Sequence, residues 1–300
     1  MLEYIVEDSK YKNVKEILTS YFQISNRLLI KLKKNQRIYL NNETVYVTHT
    51  VSKNDIIKID INFDEESDNI TPTKMNLDII YEDEYMLIVN KPTNIAIHPS
   101  ILHYENSLSN GISYYFKEKN IKRKIRPVNR LDKDTSGIVI FAKNEYIQEC
   151  LVKQMKNNTF EKKYLAILEG FLEKNFGTIN APIDRKENSI IERTISENGF
   201  PSITHYKVLK RLEINDINLS LVEFTLETGR THQIRVHSKF IGHSLLGDTL
   251  YGNSSNLISR QSLHAYKISF IHPITRKTLT FEISLPDDIN NVIKMEKNLS

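Results

Sequence analysis

The stretch NFDEESDNITPTKM, residues 62–75, constrains the fold of this chain more than any other. It is acidic, poor in large apolar side chains and broken by Pro72, so it reads as a linker between segments that each carry their own periodicity. The 300 residues then divide into a unit over 1–62, a linker over 63–75, a larger unit over 76–290 and a tail over 291–300. An apolar content of 40% is enough to fill a core in a chain of this length.

Within the first unit, residues 14–22 and 25–34 predict two short helices, the second capped by Ser25. RIYLNNETVYV (37–47) reads as strand, Asn-Asn turn and strand, and KNDIIKIDI (53–61) closes the unit with alternation. In the second unit YMLIVN (85–90), GIVIFA (137–142), KKYLAILEG (162–170) and SLVEFTLETG (220–229) are strand-like. Helices are expected over 107–115, 145–156 and 232–241. Hairpins and helices mix without regular alternation, which favours an α+β fold over a doubly wound sheet.

Charge narrows the function. The net charge is only +4, yet residues 27–37 hold five basic side chains and no acid, and residues 117–126 hold six with one acid. Such clusters favour a polyanionic partner, although a charge run is more often a solvated face. Arg27, Lys31 and Lys34 fall at i, i+4 and i+7 and so share one helical face, from which Leu28, Leu29 and Leu32 turn away. The single Cys150 excludes an internal disulfide framework and a multi-cysteine zinc site. No run of 18 apolar residues and no apolar leader are present, so a cytoplasmic protein without membrane contact is expected.

The densest polar motif is PVNRLDKDTSG, residues 127–137. Pro127 sets an extended entry, residues 134–137 carry turn chemistry, and GIVIFA leaves as a buried strand, so Asp132 sits on the approach to a sharp turn at a sheet edge. By itself this is a loop decorated by an ion pair, and Asp134 fits that reading better than Asp132. Further on, Gly229 ends a strand and Ile234, Ser238 and Ile241 recur at helical spacing before Gly242, placing His232 and Arg235 one turn apart. On local evidence Arg235 is a surface cation, and Tyr164, which shares a strand face with Ala166 and Leu168, is core. Zinc held by His232, His237 and His243 is disfavoured, because an i, i+5 pair does not align on a helix.

These motifs carry a resemblance. PVNRLDKDTSGIVIFAKN (127–144) resembles the signature of the RluA family of pseudouridine synthases, and DEYMLIVNKPTNIAIHPS (83–100) resembles that family's first motif. FEKKYLAILEG (160–170), ETGRTHQIRVHSKFIGHSLLGDTLYG (227–252) and SLHAYKISFIHPITRK (262–277) are similar to its later ones. Residues 12–62 resemble an S4 RNA-binding domain, with Lys12-Asn13-Val14 where that family opens on Arg-Leu-Asp. The resemblance implies an S4-like domain followed by a catalytic domain on a mixed, largely antiparallel sheet with flanking helices. It implies Asp132 as nucleophile, Tyr164 as the aromatic against the target base and Arg235 as the partner of the aspartate. It further implies Arg130, Asn129, Arg230, His232 and Gln233 as substrate contacts; position 129 is Asn where the family most often has His. Arg27, Lys31, Lys34, Lys122, Arg123 and Lys124 become candidate RNA contacts. A monomer acting on ribosomal RNA is expected, with transfer RNA as the alternative.

Pseudouridine forms when the bond from C1′ to N1 of uridine is broken and C1′ is rejoined to C5 of the same uracil. No redox change occurs and no atom is gained, so neither cofactor nor metal is expected, and the sequence carries no P-loop and no GxGxxG turn. Glycoside hydrolysis needs two carboxylates because it must manage water. Retaining the base needs only one, as nucleophile at the sugar or as base toward the 2′ region, with an arginine offsetting its desolvation. Two rivals are a base-removing glycosylase, which differs in its product, and a catalytically silent RNA-binding protein, for which the basic clusters would suffice.

Overall fold

Short alternating strands and two capped helical segments shape the first unit. The computed structural model describes residues 1–65, 69–100 and 104–296. Strands β1 (Leu2–Ile5), β2 (Ile38–Leu40), β3 (Glu43–Thr44) and β4 (Ile56–Ile59) form an antiparallel sheet in the order β1-β4-β2-β3. Asn41 and Asn42 adopt φ of 49° and 71°, the left-handed pair that a two-residue hairpin requires. Helix α1 (Val14–Glu16), capped by the Asn13 side chain, runs on as a π-helical turn over Ile17–Tyr21. Helix α2 (Asn26–Lys34) starts on Ser25, whose hydroxyl accepts from the Leu28 N–H, and it buries Leu28, Leu29 and Leu32 as its spacing predicts.

The larger sheet runs through β5 (Asp78–Glu82), β6 (Met86–Lys91), β7 (Arg126–Pro127), β8 (Ser136–Ala142) and β9 (Glu161–Glu169). It continues with β10 (Phe176–Asn180), β13 (Ile203–Ile214), β14 (Ile217–Leu226), β15 (Leu263–Ile271) and β16 (Thr278–Glu282), while β11 (Ile183–Arg185) and β12 (Arg193–Ile195) form a separate hairpin. The spatial order is β10-β13-β14-β9-β15-β8-β6-β5, with β16 on β15 and β7 on β8. Helices α3 (Leu108–Glu118), α4 (Glu145–Lys156), α5 (Gln233–Phe240) and α6 (Asp287–Lys294) flank it. Among the described residues β8 and β15 are the parallel pair, joined only at His264↔Ser136 and Ala265↔Gly137, and the other pairings are antiparallel.

That short parallel contact explains one glycine. Gly137 has φ +121°, and a Cβ there would lie 2.3 Å from the Ala265 carbonyl oxygen. Gly137→Ala is therefore expected to destabilise by about 2–4 kcal/mol through strain and overpacking, read as a lowered thermal midpoint.

Two expectations about connections need correction. The segment over 62–75 is a packed strap in its described residues: Phe63 is buried, Glu65 takes Lys31 at 2.6 Å and Arg126 at 2.7 Å, and Ile70 and Met75 pack beside Leu87 and Ile112. Of its described acids, Glu65 is enclosed by these two cations, while Asp64 stays exposed beside Arg123 at 3.6 Å. The tail expected from residue 291 is, up to Lys294, the second half of α6, whose Ile289 and Val292 are fully buried against Ile167 and Leu212. The two units also share a core: Leu28 and Ile57 belong to one apolar cluster with Met86, Ile138, Tyr146 and Leu151. Polar contacts line the join, where Ser25 Oγ donates to Glu149 at 2.8 Å and the Tyr146 hydroxyl to the Phe22 carbonyl at 3.2 Å.

Candidate active site

The loop between β7 and β8 presents Asp132. Its carbonyl accepts from the Thr135 N–H at 3.1 Å, closing a turn over 132–135 with Lys133 and Asp134 at the corners. The turn lies two residues earlier than its composition suggests, because β8 has already begun at Ser136. Each corner carbonyl is held by a buried cation. Lys91 Nζ donates to the Lys133 carbonyl at 2.8 Å and to those of Pro92 and Ile95 at 2.9 Å each, so its three hydrogens meet three acceptors. Burial pulls its pKa down to about 7, against the attraction of Asp134. Arg260 donates to the Asp134 carbonyl at 3.0 Å while its Nε and Nη2 grip Asp288 at 2.6 and 2.9 Å. Asn129 anchors the loop entrance, its amide giving a hydrogen bond to the Ile138 carbonyl and accepting one from the Ile140 N–H, both at 2.9 Å.

Opposite the turn, β14 runs out into residues 227–232 and α5. Gln233 organises this loop: its oxygen accepts from the Arg230 N–H and the Thr228 hydroxyl, and its nitrogen donates to Ile203 and Thr204. His232 sits in the left-handed region at φ 59°. The Tyr251 hydroxyl accepts from the Arg193 N–H at 2.8 Å, so its own hydrogen goes to His232 Nδ1, also at 2.8 Å. This assigns the imidazole proton to Nε2, which faces the Asp132 carboxylate at 3.7 Å. Burial lowers the pKa of His232, with Asp132 opposing, so the ring is neutral at pH 7.

Arg235 completes the site from the same helix. Its Nη1 donates to Asp132 at 3.2 Å, while Nε and Nη2 make a bidentate pair with Asp248 at 2.7 and 2.8 Å. Asp248 is fully buried and also accepts from the N–H groups of Leu250 and Tyr251, so the fork is aimed before any substrate arrives. Tyr164, on β9 between Phe224 of β14 and Ala265 of β15, borders a recess of about 60 Å³ shared with Asp132, Leu226, His232, Arg235 and Leu263. Burial first, then the Asp132 charge, raises its pKa, so the phenol stays protonated; its hydroxyl has no partner among the described residues. The recess adjoins a cleft of about 580 Å³ lined by Arg130, Lys156, Lys162 and Arg230. A carboxylate flanked by fixed donors at the edge of a small apolar recess suits chemistry on one flipped base.

Comparison with known proteins decides the family. A family model described as RNA pseudouridylate synthase matches residues 85–239. The uncharacterized RNA pseudouridine synthase YhcT of Bacillus subtilis (strain 168) is 40% identical over 278 residues, covering 93% of this chain and 91% of that protein. The chain belongs to the RluA family of RNA pseudouridine synthases. The synthase is also 37% identical over 256 residues to the ribosomal large subunit pseudouridine synthase D of Zymomonas mobilis subsp. mobilis, covering 80% and 79% of the two chains. The solved structure of human RNA pseudouridylate synthase domain containing 1 superposes with a TM-score of 0.60 at 27% identity, over 72% of the synthase and 87% of that chain.

The remaining expected contacts of the synthase are placed unevenly. Arg130 and Arg230 are exposed in the cleft, Arg230 over the Phe200 ring at 5.4 Å. Asn129 and Gln233, expected to face substrate, spend their amides on the backbone and hydroxyl partners named above and hold the two loops instead. The α2 stripe is not uniform: Arg27 pairs with Glu145 at 3.1 Å, and Lys31 is taken by Glu65 and lies over Phe63 at 4.0 Å, while Lys34 is exposed. Lys124 is exposed and Lys122 is 3.9 Å from Asp64, but Arg123 turns inward to the Phe63 carbonyl at 2.8 Å. His237 is fully committed to Thr204 and Ala181, and among the described residues no group of acidic, histidine or cysteine side chains could hold a metal. No helix among them is long and apolar enough to cross a membrane. Asp248, Lys91 and Arg260 were not anticipated. A signal for Asp248 existed in the acid of LLGDTLYG, since an arginine buried beside one carboxylate needs a second to fix its fork.

Proposed function

We propose that Asp132 carries out the isomerisation of uridine in ribosomal RNA, with Arg235 as its charge partner and Tyr164 as the platform for the flipped base. One observation carries this reading: the Asp132 carboxylate lies between the Arg235 fork and the Nε2–H of His232, beside the Tyr164 recess, on a turn pinned through both corner carbonyls. The carboxylate acts at the sugar as nucleophile or toward its 2′ proton, and both routes need the same unhindered oxygen. Apolar walls from Leu226 and Leu263 exclude water while the freed uracil turns to offer C5. A base extruded from its stack gains an aromatic face in Tyr164.

The first 62 residues serve as an S4-like RNA-docking unit through the open face of α2, where Lys33 and Lys34 are exposed beside Ile30 and Tyr46, 65% and 85% exposed. Cations interleaved with bare apolar surface suit a backbone and its stacked bases. Because this unit shares a core with the catalytic sheet, point substitutions test it more cleanly than truncation. Lys33→Ala with Lys34→Ala is expected to weaken RNA binding and to lower the salt slope by about 0.7–0.9 per lost phosphate contact. An unchanged slope would leave α2 a solvated face.

The name of the large-subunit enzyme among the relatives supports ribosomal RNA as the substrate, which is tested by mapping pseudouridine across total RNA from cells with and without the synthase. Loss of a site in the large ribosomal RNA is the expected result. Loss confined to transfer RNA would replace the substrate, and loss nowhere would remove the reading.

A further inference from the structure

Among the described residues Lys162 is a cation without a partner. It precedes Tyr164 by two residues on β9, so the pleat turns both side chains to the same face, about 7 Å apart along the strand. Lys163, on the other face, is served by Glu223 at 3.3 Å and Glu161 at 3.8 Å. Lys162 has neither ion pair nor hydrogen bond among the described residues, and burial alone pulls its pKa below the usual lysine range. The half-buried Lys162 contrasts with the buried cations: Lys91 has three carbonyls, Lys143 has Glu82 at 2.6 Å, Arg235 has two aspartates and Arg260 has Asp288.

Its ammonium reaches the loop after β14, 3.4 Å from where a Cβ would stand on Gly229, and it lines the cleft beside that loop. Arg130, Lys156 and Arg230 line the same cleft. The acids there are engaged, Glu227 by His205 at 2.6 Å and Asp132 by Arg235 at 3.2 Å. A desolvated ammonium with no counter-charge costs free energy in the free protein, and such a cost persists where a ligand removes it.

We propose that Lys162 binds the phosphodiester flanking the target uridine, its counter-charge being supplied by the RNA when Tyr164 receives the base. This rests on the reading of the cleft as the uridine site. Lys162 is then a binding residue that fixes the nucleotide's position against Asp132, distinct from the groups that act at the sugar.

The test uses the full chain and an unmodified transcript of the large ribosomal RNA labelled with tritium at C5 of uridine, whose release reads the isomerisation. Lys162→Met is expected to raise KM about tenfold, more than it lowers kcat, and to reduce the salt slope of binding by about 0.7–0.9. Lys162→Arg, which restores a cation, is expected to recover most of the KM. Because the methionine removes an uncompensated charge, its thermal midpoint should equal or exceed that of the parent. A lowered midpoint with an unchanged salt slope would mark Lys162 as a structural residue and overturn the proposal. A fall in kcat with unchanged KM and slope would assign it to the base instead and overturn it equally. If the parent releases no tritium, the functional reading fails, and the salt slopes of the two proteins in filter binding still decide whether Lys162 meets a phosphate.

Discussion

Asp132→Asn is expected to fold, to bind RNA and to form no pseudouridine, a loss of at least about 10⁴-fold when the acting group of a catalytic set is removed. The change is isosteric, and the turn that carries it is held through backbone carbonyls by Lys91 and Arg260, neither of which touches the Asp132 side chain. Asparagine oxygen can still accept from Arg235, so stability should move by less than about 1 kcal/mol. The same substitution at Asp134 should keep activity within about tenfold, because that residue contributes its carbonyl to the loop and its carboxylate makes no hydrogen bond or ion pair among the described residues. Nucleoside mass spectrometry of treated RNA separates the two. A dead Asp134 variant beside an active Asp132 variant would exchange their roles.

Arg235→Lys should lower turnover by about 10²–10³-fold, the usual consequence of losing a preorganised donor. A lysine carries the charge but cannot satisfy Asp248 with a planar fork and reach Asp132 with a third hydrogen. Asp248→Ala should reach a similar rate by another route, freeing the guanidinium to swing, and should also destabilise by about 3–5 kcal/mol, because the buried guanidinium loses its bidentate partner and keeps only the single contact to Asp132. RNA affinity should change little in either variant. Single-turnover kinetics with thermal unfolding of the same samples reads both effects. An Asp248→Ala enzyme with undiminished turnover would show that Arg235 needs no second carboxylate.

What could be read from residues alone follows the range of each interaction. Helix α2, its Ser25 cap and the Asn41-Asn42 turn are short-range features, and periodicity located them. The strip of Arg27, Lys31 and Lys34 was correctly placed on one face, but spacing along a helix says nothing about what comes to meet it. Glu145 and Glu65 lie far away in sequence and claim two of the three. The acidic segment reads as a linker because carboxylates favour solvent, whereas the fold brings Lys31 and Arg126 to Glu65. The family pattern points to Asp132, Tyr164 and Arg235, which the fold brings together, while Lys91, 42 residues before the carbonyl it holds, leaves no local trace.

The grip of Arg260 on both the Asp134 carbonyl and Asp288 of α6 has a consequence in time. During translation the strands, the recess and all three central side chains emerge before Asp288 does. A nascent polypeptide halted short of that residue would carry the Arg260 guanidinium without its carboxylate, and the grip on the Asp132 turn would lose its anchor on α6. The setting of the Asp132 turn thus depends on a carboxylate that is among the last parts of the described fold to be made.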